Sequence, residues 1–123
     1  MMPLPTQQRL NNHLIRWDQE IREFDAAVQA YGERKADLLY RRGVVQETAK
    51  AENPKLSQAA AEKVADADDE AYRLNRAYQA AEASIAAKKE RLRWCSAVAD
   101  ALRSEVATER EERKLYADHG PDA

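Results

Sequence analysis

The chain has 123 residues, of which 34% are charged, with 20 Lys and Arg against 22 Asp and Glu and a formal charge of -2. A mean hydropathy of -0.81 describes a protein that is mostly surface, which excludes a thick globular core. The interspersed signs leave no large one-signed field to attract nucleic acid or an anionic membrane. Ala, Glu, Arg, Lys and Gln dominate while Phe occurs once and Gly three times, which predicts an all-α chain.

Residues 1–5 are expected to form an extended tail, because Pro3 and Pro5 hold them out of a helix and the stretch is too short for a signal peptide. No segment approaches the ~20 apolar residues that span a bilayer. The expectation is a soluble, cytoplasmic protein with no membrane contact. Cys95 is the one cysteine, so no intramolecular disulfide forms, and a reducing compartment is the simpler setting.

A first helix is predicted over about 6–50, with Thr6 as its N-cap. Leu10, Leu14, Trp17, Ile21, Phe24, Val28, Tyr31, Lys35, Leu38, Arg42, Val45 and Ala49 recur at alternating steps of four and three, the signature of a heptad seam. Lys35 and Arg42 have apolar stems that suit a seam. Gly32 and Gly43 fall outside it, each costing roughly 1 kcal/mol in a helix interior, and Gly43 is a place where a bend would be tolerated.

The turn is placed at 51–56, where Asn53 precedes Pro54 and is pushed out of the α region, and Ser57 offers the next N-cap. From Lys55 to His119 there is no Gly or Pro. A second helix is therefore predicted over 57–118, closed by His119-Gly120-Pro121 and followed by a tail at 119–123. Ala60, Val64, Ala67, Ala71, Leu74, Tyr78, Ala81, Ile85, Lys88, Leu92, Cys95, Ala99, Leu102 and Val106 form its seam.

Two seams joined by a short turn predict a single-domain antiparallel coiled-coil hairpin. The register with its midpoint at Pro54 and Lys55 pairs Val45 with Val64, Leu38 with Ala71, Tyr31 with Tyr78, Phe24 with Ile85, Trp17 with Leu92, Leu14 with Cys95 and Leu10 with Ala99. Large residues face small ones, as interdigitation requires. The same register opposes Asp18 to Lys89, Glu20 to Arg91 and Arg41 to Glu70. It also buries Phe24 against Ile85, places His13 near Cys95 and sets Ile15 beside Trp94. At ~1.5 Å per residue the helices measure about 65 and 90 Å, so the first runs out opposite Ser104.

That mismatch singles out an interface. Ile15, Trp94, Val98, Leu102, Val106, Leu115 and Tyr116 are expected to pack on a protein partner or on a second copy, most simply as a homodimer that completes a four-helix bundle. The runner-up is a nucleic-acid contact through Lys88, Lys89, Arg91 and Arg93, with Trp94 as a stacking group. Other chemistry lacks its residues. Two His and one Cys are too few for a typical zinc site, and Asp66, Asp68, Asp69 and Glu70 lack the Gly turn of a calcium loop and read as a solvated acidic face. Without paired acids, an activated nucleophile, a phosphate loop or a cleft, no enzyme, cofactor, metal or small-molecule substrate is expected.

In size and topology the chain is similar to the WXG100 secreted helical hairpins, and Tyr78-Gln-Ala-Ala-Glu82 matches their Tyr-x-x-x-acid export pattern. Their Trp-x-Gly turn is absent, because neither Trp17 nor Trp94 is followed at the second position by Gly, so membership is not assigned. Small helical chains of this composition also occur among phage-encoded and accessory bacterial proteins. The sequence therefore points to an adaptor, inhibitor or assembly component.

Overall fold

The computed structural model describes residues 5–118, which form α1 (Pro5–Glu52), α2 (Gln58–Asp66) and α3 (Asp69–Asp118). Of the tails expected at 1–5 and 119–123, residues 1–4 and 119–123 lie outside the described residues. Pro5 belongs to the first turn of α1, a position where its fixed φ and missing N–H cost nothing. The chain divides into two units, Met1–Glu23 with Lys88–Ala123 and Phe24–Ala87. In each of them α1 runs antiparallel to the returning chain. The expected all-α hairpin is thus the fold, with one added break.

Within Phe24–Ala87 the turn is built as its residues dictate. Asn53 still donates its N–H to Ala49 at 3.0 Å and its carbonyl accepts from Leu56 at 2.9 Å, while its side chain accepts from the Lys55 N–H at 3.2 Å. Pro54 cannot extend the helix, so the chain reverses here. Ser57 caps α2, its hydroxyl accepting from the Ala60 N–H at 3.1 Å. α1 remains helical through Gly32 and Gly43, neither of which takes a positive φ.

The second predicted helix is not continuous. It stops at Asp66 and restarts at Asp69 because Asp68 turns its carboxylate onto the Ala71 N–H at 2.9 Å, acting as the N-cap of α3. Asp at a cap competes with the helix interior for backbone donors, and the acids Asp69 and Glu70 suit the positive end of the new helix. The break resets the seam. α2 buries Ala61 and Ala65 rather than Ala60 and Val64, and Val64 is left 43% exposed, so the expected Val45–Val64 layer is corrected. Beyond the break the seam returns to phase, with Leu38 and Ala71 buried. Phe24 and Ile85 are only half-buried, which corrects the expectation of a fully enclosed Phe24, and Lys35 is exposed rather than lying in the seam.

Within Met1–Glu23 and Lys88–Ala123 the core is Leu10, Leu102 and Val106, with Leu14 and Val98 packed against it. Leu10 therefore sits about half a heptad further along α3 than Ala99, the partner expected for it. Ala99 is fully buried but too small to fill a layer opposite Leu, and Leu10 reaches larger side chains between the next two positions of the seam. Arg110 donates to Gln7 at 3.2 Å as a result, and the Thr6 hydroxyl donates to Glu109 instead of capping α1. Among the described residues, contacts with α1 thus extend along α3 to Arg110, past Ser104, opposite which α1 was expected to run out.

Candidate functional site

Steps of three and four along α1 place His13, Arg16 and Glu20 toward the α3 residues Arg91, Trp94 and Cys95. His13 Nε2 donates to the backbone carbonyl of Cys95 at 2.7 Å, which requires the hydrogen to be on Nε2 because a carbonyl only accepts. The rings of Trp94 and His13 meet in a T-shaped arrangement, 5.8 Å between centroids and 78° between planes. The Arg16 guanidinium lies 5.4 Å from the same indole, a cation–π arrangement. Trp94 is nevertheless 50% exposed.

Glu20 is a buried carboxylate held by Arg91 Nη1 at 3.4 Å, while its Oε2 has no partner among the described residues. Burial, and then the Glu20 charge, push the Cys95 thiol above its ordinary value. It is protonated and enclosed, the opposite of a reactive thiolate. Among the described residues no group of three His, Cys, Asp or Glu is placed to hold a metal ion, and no helix is long and apolar enough to cross a membrane.

The seven residues expected at an interface do not stay together as one surface. Leu102 and Val106, each 5% exposed, are enclosed within the chain against Leu10, and Val98 packs beside them. Ile15, Trp94, Leu115 and Tyr116 remain on the surface. Trp94 meets His13 and Arg16.

The basic cluster is largely neutralised at home. Lys88 pairs with Glu23 at 3.5 Å, Arg91 with Glu20 at 3.4 Å and Arg93 with Glu90 at 2.7 Å. Lys89 is exposed and lacks its expected partner, since Asp18 pairs with Arg22 at 3.1 Å along α1 instead. The other two expected cross-seam pairs are present, Glu20 with Arg91 at 3.4 Å and Arg41 with Glu70 at 3.5 Å.

Two features escaped the reading of the sequence. Arg41 grips Asp68 with two parallel hydrogen bonds of 2.9 Å, so Asp68 is a cap and an ion-pair partner rather than part of a solvated face. The hydrogen bond from Arg41 holds its carboxyl below the ordinary range, and Asp68 in turn raises the Arg41 guanidinium. The other is the exposed group Leu39, Tyr40 and Val44 on α1. Its signal was present in Leu38-Leu39-Tyr40, a consecutive apolar run that one helix face cannot bury. No protein-family model, no curated protein and no solved structure matches the chain.

Proposed function

We propose that the chain is a non-enzymatic helical-hairpin interaction protein, an adaptor, inhibitor or assembly component that offers exposed apolar side chains to a protein partner or to a second copy. An imbalance supports this reading. Among the described residues, Leu10, Leu38, Leu102 and Val106 are the buried aliphatic side chains larger than Ala, whereas Ile15, Leu39, Tyr40, Val44, Tyr72, Trp94, Leu115 and Tyr116 are all exposed. A hairpin covers one side of each helix, and apolar groups on the other sides gain a use when another protein covers them. A single enclosed thiol is compatible with action in the cytoplasm.

The test combines co-purification from the native host with sedimentation of the isolated protein. A defined partner, or a dimer, that is lost in the Ile15→Glu, Trp94→Glu double variant supports the reading. A protein that stays monomeric at high micromolar concentration and retains no partner removes it. Titration with single- and double-stranded DNA and RNA at two salt concentrations belongs in the same study. Binding through Lys88, Lys89, Arg91 and Arg93 would weaken steeply with salt, and steep weakening would favour a nucleic-acid role instead.

A further inference from the structure

Five tyrosines occur in the chain. Tyr40, Tyr72 and Tyr116 are exposed, whereas Tyr31 and Tyr78 are half-buried and face each other within Phe24–Ala87. Their hydroxyl oxygens lie 3.0 Å apart, while the ring centroids are 5.2 Å apart and the planes tilt by 30°. The rings thus converge at their hydroxyl ends, where the carbons ortho to each hydroxyl also lie. Those carbons matter for one kind of chemistry. A phenol that loses an electron becomes strongly acidic, gives up its proton, and carries the unpaired electron on its oxygen and ring carbons, the ortho positions among them.

The hydrogen bond gives that proton a route. One hydroxyl donates to the other, so the donor's proton passes to the acceptor, whose own proton leaves to water at this half-buried layer. Trp17, Trp94 and Cys95, which would compete as electron donors, all belong to the other unit. We propose that Tyr31 and Tyr78 are an oxidative cross-linking site, at which a one-electron oxidant, such as hydrogen peroxide acting through a haem peroxidase, joins α1 to α3 as a dityrosine. Each phenol gives up one electron and one proton, and the two phenoxyl radicals form a carbon–carbon bond between one ortho carbon of each ring. The hydrogen on each joined carbon then moves to its oxygen, which restores both aromatic rings. Two electrons and two protons leave in all, and they reduce one peroxide to two waters. In the product the hydroxyls flank the new bond, an approach that the folded chain has already made. This site requires no partner and stands independently of the interaction reading.

The experiment treats the full chain at low concentration with a haem peroxidase and limiting hydrogen peroxide, isolates the monomer, and reads dityrosine fluorescence, intact mass and the joined peptides. The monomer should be lighter by two hydrogens and carry one link, between the peptides of Tyr31 and Tyr78. Tyr31→Phe and Tyr78→Phe keep the ring contact, yet each should lower monomer dityrosine by about tenfold or more. A variant with Tyr40→Phe, Tyr72→Phe and Tyr116→Phe should retain it. The link joins positions 47 residues apart and restricts the unfolded chain, so the cross-linked monomer should melt about 10 °C or more above the untreated protein. Monomer dityrosine that persists in Tyr31→Phe, or oxidation that yields only intermolecular links through the exposed tyrosines, overturns the proposal. A link that forms as readily in denaturant also overturns it, because the folded geometry would then contribute nothing.

Discussion

The hydroxyls of Tyr31 and Tyr78 lie 3.0 Å apart across α1 and α3, close enough for one to donate to the other, with ring centroids separated by 5.2 Å and planes tilted by 30°. The pair occupies the layer that the heptad register assigned to it. The hydrogen bond to Tyr31, followed by burial, raises the Tyr78 phenol above its ordinary value. The neutral form is therefore the one that the folded chain favours, and the stability tied to it is complete below the ordinary value and lost as pH rises through the folded one.

Replacing either tyrosine by Phe leaves the other hydroxyl half-buried without its partner, whereas replacing both removes the polar pair and keeps the ring contact. The double variant should be more stable than the sum of the single losses predicts, as read from urea midpoints. Strict additivity would mean that the two hydroxyls are solvated independently.

Burial separates the residues expected at one interface. Leu102→Ala should cost about 2 to 3 kcal/mol in urea unfolding, because it opens the core beside Leu10. Ile15→Ala should stay within about 0.5 kcal/mol. Phe24→Ala, at a half-buried position, should cost roughly 2 kcal/mol, below the ~3 to 5 kcal/mol of an enclosed Phe. A Leu102→Ala variant as mild as Ile15→Ala would show that Leu102 does not close the core.

Asp68 links the break in the helix to pH. Its carboxyl is held below the ordinary value of 3.8, chiefly by Arg41, so its contribution is complete above that value and disappears as pH falls through the folded one. Asp68→Asn retains an oxygen for the Ala71 N–H but loses the ion pair. The variant should be less stable near pH 7, and its stability should fall less steeply below about pH 4 than that of the unmodified chain. Parallel acid-unfolding curves would mean that Asp68 is not held by Arg41 in solution.

Cys95 reports the opening of its unit. Enclosed and protonated, its thiol should react with a disulfide reagent at pH 8 at least roughly a hundredfold more slowly than in denaturant, at a rate that local opening sets. Reaction at the denatured rate would show that α1 does not cover Cys95. Leu10→Ala should accelerate the labelling, since it loosens the same packing.

Apolar spacing, the residues at the turn and the signs of the charges determined α1, the turn at Asn53 and Pro54, the Ser57 cap, the antiparallel pairing, and the Tyr31–Tyr78, Glu20–Arg91 and Arg41–Glu70 contacts. These follow from period and sign, which are local properties of the chain. Only the tertiary structure decided that Leu10 settles between Leu102 and Val106, that Asp68 interrupts the second helix, that Val64 faces outward, and that two residues of the expected interface are core. A seam made largely of Ala discriminates poorly between neighbouring registers, because an Ala layer gains little contact in any of them. The few large side chains and a single capping carboxylate therefore set the final alignment, and the sum of their contacts exists only once both helical arms of the hairpin are in place.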